Sequence, residues 1–405
     1  MSGKIAYVIL GATGNQGSHV VKYLYSCSIK DIYVVTRDVN NPRSKQFEQV
    51  MFMGRRDEDV CGVLGFAHKS QVFPGVKVIA GDLENKSSLV EAFKTPMKDN
   101  ESYKVVVFAM STPSLASNGY AISAEVEEQS GRIIVEAAEE AKVTHIVYSS
   151  VANCDKENRP KYHRSKKNIE DCLKASKNSW TILRPVSFYE TWARFSKVKS
   201  GCMTGLVKPD VKQQWVSLHD LGASAATVLR KYEQYKARTI DLVADELSGN
   251  EMAEKLTQIR KQETFRYSIA WFMRLLLWVA AHDIYEERVT FPEKEGGYKA
   301  NKQDLLELSK TFSEEEFKRK GLVNFERVVM LNGWHQGPLA SSWGIGDYAI
   351  YGLGFLGACF ATMAYLLPES VWTEIKKRWA FYGLMLLFVL NLLIRVAGLL
   401  RKKDK

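Results

Sequence analysis

The sequence predicts an α/β chain: a doubly wound parallel sheet with a small mixed second lobe, closed by a C-terminal transmembrane helical hairpin. Three observations predict it. Apolar runs of strand length alternate with helical stretches, the first run ends directly in three evenly spaced glycines, and two long apolar segments follow Trp343. Strands alternating with helices imply a parallel sheet covered on both faces. The expected divisions are residues 1–245 for the sheet domain, 246–338 for a smaller helical lobe and 339–405 for the hairpin and a basic tail.

The first strand is Ile5 to Leu10, and Gly11-Ala12-Thr13-Gly14-Asn15-Gln16-Gly17 follows without a break into a helical stretch from Ser18 to Tyr25. Strand, glycine loop and helix together make a Rossmann-type dinucleotide site. One glycine turns the chain, the next lets backbone approach a pyrophosphate, and the third packs helix on strand. The anion then rests on unpaired N–H groups at the helix N-terminus. Gly11, Gly14 and Gly17, with Thr13, Asn15 and Gln16 between them, are the expected pyrophosphate loop. An ordinary glycine-rich turn is the bland alternative, which the flanking strand and helix argue against.

The second strand, Ile32 to Thr36, ends at Arg37. An acid there would bind the ribose hydroxyls of NAD, whereas Arg accommodates the 2′-phosphate of NADP. Asp38 comes next and blurs the reading, but NADP(H) is favoured over NAD(H). Residues 40–73 form a long connection, read as a solvated insertion. Strand three, Val76 to Ala80, ends in Gly81-Asp82-Leu83. Strand four runs from Lys104 to Ala109, strand five from Thr144 to Ser150 and strand six from Trp180 to Pro185. Asp82, Leu83, Ala109 and Pro185 thus fall at the carboxyl ends of strands, where the cofactor of an open α/β sheet lies.

Lys and Arg number 56 against 46 Asp and Glu, a net charge of +10. No Arg-rich stripe with interleaved aromatics accompanies that charge, so nucleic acid is not an expected partner. The six cysteines are scattered with no C-x-x-C pair. They read as reduced thiols of a cytosol-facing protein, with no metal site. The opening apolar run is too short for a signal peptide.

Gly-Ala-Thr-Gly-Asn-Gln-Gly, the post-strand Arg37, Gly81-Asp82-Leu83, Val147-Tyr148-Ser149-Ser150, Ile182-Leu183-Arg184-Pro185 and the run Val216 to Gly222 occur in this order. The chain thereby resembles NmrA-like proteins, atypical short-chain dehydrogenase/reductases that bind NADP(H). The resemblance covers roughly residues 4–330 and is specific in the first 190. That family holds both reductases and cofactor-binding sensors or regulators, so the resemblance implies the cofactor more firmly than catalysis. It also implies that Phe188, Tyr189 and Trp192 line the nicotinamide and substrate pocket, although aromatics there could equally be core.

Tyr162 and Lys166 fit the Y-x-x-x-K of catalytic short-chain reductases, and spacing of four puts both on one helix face. The lysine would lower the tyrosine pKa and anchor the nicotinamide ribose, and Tyr162 would protonate a carbonyl oxygen. Ser149 or Ser150 could hold that oxygen. The same spacing recurs at Tyr232/Lys236 and Tyr298/Lys302. Only Tyr162 follows strand five, where the family's active-site helix lies. His163 reads as a surface residue, and Asp220 as a helix N-cap.

Trp271 to Ala281 is strongly apolar but too short to span a bilayer comfortably, and Arg274 interrupts it. A buried helix is the default reading, and a membrane-facing helix beside a substrate mouth the sharper one. Tyr348 to Leu367 is uncharged for about a bilayer's length, Pro368 ends it, and Trp379 to Leu400 is a second apolar run whose one charge is Arg395. Trp343, Tyr348, Trp372, Trp379 and Tyr382 fall where an aromatic belt would sit. The expected partners are therefore a lipid membrane through residues 343–400, a lipophilic small-molecule substrate and membrane proteins. Lys402 and Lys403 match a dilysine endoplasmic reticulum signal. Two functions fit: a membrane-anchored NADP(H)-dependent oxidoreductase transferring hydride to or from a carbonyl, alcohol or enone, and a non-catalytic NADP(H)-binding sensor or subunit.

Overall fold

The structure, a computed structural model, describes residues 4–40, 44, 75–111, 123–157, 159–191, 198–199, 202–261, 265–280, 282–312 and 321–331. The chain divides into two units, residues 1–340 and 341–405. The hairpin, nearly all of the 40–73 insertion and Trp192 lie outside the described residues.

Among the described residues the strands are β1 (Ile5–Leu10), β2 (Ile32–Thr36), β3 (Lys77–Ala80), β4 (Lys104–Ala109), β5 (His145–Ser149), β6 (Trp180–Pro185), β7 (Ser187–Phe188), β8 (Val198–Lys199), β9 (Cys202–Gly205), β10 (Gln213–Val216), β11 (Arg238–Leu242), β12 (Asp245–Leu247) and β13 (Arg266–Ile269). Seven of them form one sheet in the order β11-β6-β5-β4-β1-β2-β3, and every pair in it is parallel. Since β1 lies between β2 and β4, the chain reverses its winding there. That switch point sets the glycine loop in the crevice at the sheet's carboxyl edge.

The helices are α1 (Asn15–Ser26), α2 (Lys86–Asp99), α3 (Ala124–Glu140), α4 (Lys161–Ala175), α5 (Leu218–Arg230), α6 (Tyr232–Tyr235), α7 (Gly249–Arg260), α8 (Trp271–Ala280), α9 (His282–Tyr285), α10 (Phe291–Glu295), α11 (Lys302–Ser309) and α12 (Phe325–Leu331), with a π-helical turn at Glu286–Thr290. Strand residues alternate between faces. Val147 and Leu183 meet Val20, Leu24, Leu221 and Leu229 on one side. Tyr148 and Ile182 meet Leu89, Phe93, Ile134 and Leu173 on the other. The near-continuous apolar strands read in the sequence follow from this burial on both faces.

A third core lies beyond the sheet, built from Tyr189, Met203, Trp215, Leu256, Phe325 and Val329 among others. The Asp245 carboxylate accepts from the Tyr189 hydroxyl at 2.6 Å and from Phe325 N–H at 2.8 Å. Tyr189 is therefore core and not pocket lining. The expected N-cap needs a similar correction: α5 starts at Leu218 with Ser217 as its cap. Asp220 sits in the first turn instead and accepts from Val323 N–H at 3.0 Å.

Candidate functional site

β1 ends in a turn that only glycines build comfortably. Gly11 has φ of +65°, and a Cβ at Gly17 would lie 2.4 Å from the Gly11 carbonyl oxygen. Gly14 N–H donates to that oxygen at 2.9 Å. Helix α1 then begins with Gly14 as N-cap, no side-chain cap and no acid in its first turn. Its first N–H groups and dipole are at the carboxyl edge, with no acidic side chain in the helix's own first turn. Gln16 ties the loop to the sheet by accepting from Ser149 Oγ at 2.7 Å. Asn15 contributes its carbonyl to Ser18 Oγ at 3.1 Å and to His19 Nδ1 at 2.7 Å, and Thr13 is exposed. These residues fit a pyrophosphate.

Arg37 is exposed at the carboxyl end of β2. The Asp38 carboxylate turns into its own loop and accepts from Asn40 N–H at 2.8 Å. At the end of β3, Asp82 Oδ1 accepts from Glu84 N–H at 3.1 Å, and Leu83 packs half-buried on the core. Ala109 and Pro185 are buried at their strand ends.

Helix α4 carries the proposed catalytic pair, and its surroundings are where sequence reasoning fell short. Lys166 Nζ is 3.0 Å from Glu127 Oε1, with each side chain 3% exposed. Lys166 also donates to Ser111 Oγ at 3.1 Å, and its ammonium lies 5.4 Å from the Tyr148 ring centroid and 5.6 Å from that of Tyr162. Burial opposes the ammonium, but the Glu127 carboxylate and the two tyrosines outweigh it and carry the lysine pKa up. The lysine is held by protein groups rather than standing open toward a ribose. Glu127, Ser111 and Tyr148 had no distinguishing signal, because helix–helix packing of α3 on α4 brings the first to Lys166.

Tyr162 is half-buried. Burial raises its pKa, more than the Lys166 charge lowers it, which corrects the expected acidification. Glu287 and Arg288 of the π-helical turn also act on it. Those two residues line a cleft with Phe188, Trp215, Tyr267 and Tyr298. π-helical turns recur at functional sites. Phe188 lies half-buried on this cleft's wall.

His163 is fully buried, not on the surface. Its ring stacks on Tyr298 at 5.6 Å and meets Phe291 edge-on at 5.0 Å. Burial depresses its pKa to about 3. This contact anchors the start of α4 to the cleft wall.

Neither serine reaches the tyrosine hydroxyl by a hydrogen bond. Ser149 donates to Gln16, on the α1 side of the sheet. Ser150 lies 3.8 Å from Cys154 Sγ, within a buried group where Arg184 forks onto Glu170 at 2.9 and 2.7 Å and meets Asp155 at 3.0 Å. Successive residues of an extended segment point to opposite faces, which separates the two serines. Ser150 is a structural residue.

The NmrA-like family model matches residues 2–269. An NmrA-like family domain-containing oxidoreductase, malD, of Malbranchea aurantiaca is 24% identical over 307 residues, 69% of this chain and 78% of the relative. Among solved structures, Citrobacter sp. triphenylmethane reductase complexed with NADP(H) superposes with a TM-score of 0.55 at 18% identity, over 78% of this chain and 99% of that one. NmrA, a negative transcriptional regulator in complex with NADP, gives 0.53 at 13% identity, over 83% of this chain and 99% of its own. The structural likenesses are of fold. With the family pattern running through the whole sheet domain, the chain belongs to the NmrA-like family.

Proposed function

We propose that the chain is a membrane-anchored, NADP(H)-dependent oxidoreductase of the short-chain dehydrogenase/reductase type. Its substrate is a lipophilic carbonyl, alcohol or enone. The observation that carries this reading is the buried Lys166 ammonium 5.6 Å from the Tyr162 ring, with Glu287 and Arg288, which line the aromatic-walled cleft, acting electrostatically on the same tyrosine. The glycine loop and first turn of α1 would hold the cofactor's pyrophosphate, Arg37 its 2′-phosphate, and Phe188 the side facing the cleft. Bound there, the nicotinamide would supply or accept hydride. Tyr162, its proton firmly held, serves as donor to the substrate oxygen in the reductive direction. Lys166 keeps positive charge beside it and Glu127 holds that lysine in place. Names of relatives support the chemistry: an oxidoreductase and a reductase complexed with NADP(H).

Membrane attachment through residues 343–400 is supported by sequence alone. No helix among the described residues is long and apolar enough to cross a membrane. Flotation of the full chain with liposomes after alkaline extraction tests it. The dilysine ending supports an endoplasmic reticulum location with the sheet domain toward the cytosol.

One observation favours a second reading. Lys166 is already paired with Glu127 and Ser111, as expected of a cofactor-binding sensor that performs no proton transfer. A similar structure is a transcriptional regulator in complex with NADP. Full-length protein in detergent micelles, titrated with NADPH and then assayed at 340 nm against lipophilic ketones, aldehydes and enones, separates the two. Turnover abolished in Tyr162→Phe supports the enzyme; NADPH binding with no turnover across the panel supports the sensor.

A further inference from the structure

Among its described side chains, helix α8 exposes large apolar groups and buries its charge. Trp271 is 66% exposed, Leu275 45% and Trp278 55%. Positions i, i+4 and i+7 share one helical face, so these three make a continuous apolar stripe. The one charged residue of the helix, Arg274, is instead buried, with its guanidinium on Glu293 at 2.8 and 3.2 Å and 5.1 Å from the Trp271 ring centroid. Scattered exposed apolar residues need no explanation; two tryptophans and a leucine on one stripe do. The default of a buried helix is thus overturned for these side chains.

The stripe is also fixed relative to the cleft. Ala270 N–H, just before α8, donates to Gly205 O at 2.8 Å. Glu293, besides holding Arg274, accepts from Lys208 N–H at 2.8 Å. Cleft-lining Tyr267 precedes the helix, and cleft-lining Glu287, Arg288, Phe291 and Pro292 follow it.

We propose that the Trp271–Leu275–Trp278 face docks on the surface of a lipid bilayer, so that the cleft opens close to the acyl phase. Two features select lipid over another occupant. Tryptophan with leucine on a short helix is the composition of interfacial membrane helices. The chain beyond the described residues carries two uncharged or nearly uncharged runs, Tyr348–Leu367 and Trp379–Leu400, each long enough to cross a bilayer. For its choice of partner the proposal rests on the membrane reading given above. Residues 265–295 hold four Lys and Arg against five Asp and Glu, so docking is apolar and not electrostatic.

The test uses the full chain with an environment-sensitive fluorescent amino acid in place of Leu275, or of Val126 on α3 as a control, reconstituted into phosphatidylcholine vesicles. Brominated lipid should quench position 275 several-fold more than position 126, equally at low and high salt. Replacing Trp271→Ser and Trp278→Ser should abolish the difference. Vesicle-bound protein with no quenching at 275 overturns docking while leaving the C-terminal anchor standing. Protein that fails to float with vesicles removes the anchor and the docking together. A concentration-dependent emission shift at 275 without lipid means a second copy covers the face, and overturns the proposal.

Discussion

The Lys166 ammonium and the Glu127 carboxylate form an ion pair at 3.0 Å that is almost wholly shielded from water. Two charges in such a site are tolerated only together, since either alone bears the full desolvation penalty. Glu127→Gln should therefore destabilise the fold by about 3–5 kcal/mol. Glu127→Leu combined with Lys166→Met should cost much less than the sum of the single changes. Chemical denaturation of wild type, Glu127→Gln, Glu127→Leu, Lys166→Met and the double variant checks this, and additive losses would show that the two charges are not coupled.

Gly17→Ala places a methyl group 2.4 Å from backbone at Gly11, so helix and loop must part. NADPH affinity measured calorimetrically should fall at least tenfold, with a lower melting temperature. Unchanged binding would mean that the loop does not cradle the pyrophosphate.

Arg37 is exposed directly after β2, where the 2′-phosphate of NADP would lie. Arg37→Ala removes one charge-assisted contact, about 1.5–3 kcal/mol. NADPH affinity should drop tenfold or more while NADH affinity barely changes. Equal losses would take the 2′-phosphate away from Arg37.

Tyr162→Phe keeps the ring and deletes the hydroxyl. Turnover should fall by roughly 10²–10⁴-fold, with NADPH binding nearly intact. Because the tyrosine pKa is raised, it stays protonated through neutral pH and the rate of carbonyl reduction should be level from about pH 6 to 9. A substrate reduced equally fast by the variant would remove Tyr162 from the chemistry.

Acid should weaken the fold before the carboxylates titrate. His145 Nε2 meets Thr181 Oγ1, which already donates to the Tyr235 carbonyl, so this nitrogen carries the proton of a neutral ring. Burial lowers His145 to about 4 and His163 to about 3, from 6.5 in each case. Their neutral forms give stability that is fully present above pH 6.5 and is lost as pH falls through the folded values. Each contributes on the order of 1.4 kcal/mol per pH unit within its window. Glu190, raised to about 7 by burial, opposes them between its ordinary value and neutrality. Unfolding free energies of wild type and His145→Gln between pH 7 and 4 isolate the histidine share: the variant's curve should be the flatter.

The sequence by itself determined the six principal strands, the glycine turn and Arg37 at the end of β2. Strands β2, β4 and β6 have the bounds that the apolar runs gave, and β3 and β5 differ only at their ends. These features are local: hydrophobic period, backbone conformation and the residue after a strand are all written in neighbouring positions. Only tertiary structure decided that Lys166 faces Glu127, that Ser149 and Ser150 part to opposite sides of the sheet, that His163 is buried, and that α8 turns Arg274 inward and its tryptophans out. Spacing of four between Tyr162 and Lys166 puts both on one face, but cannot say which helix that face meets. That depends on packing between segments distant in the chain, where burial reverses the ordinary preference of a charge for water and of an indole for the core.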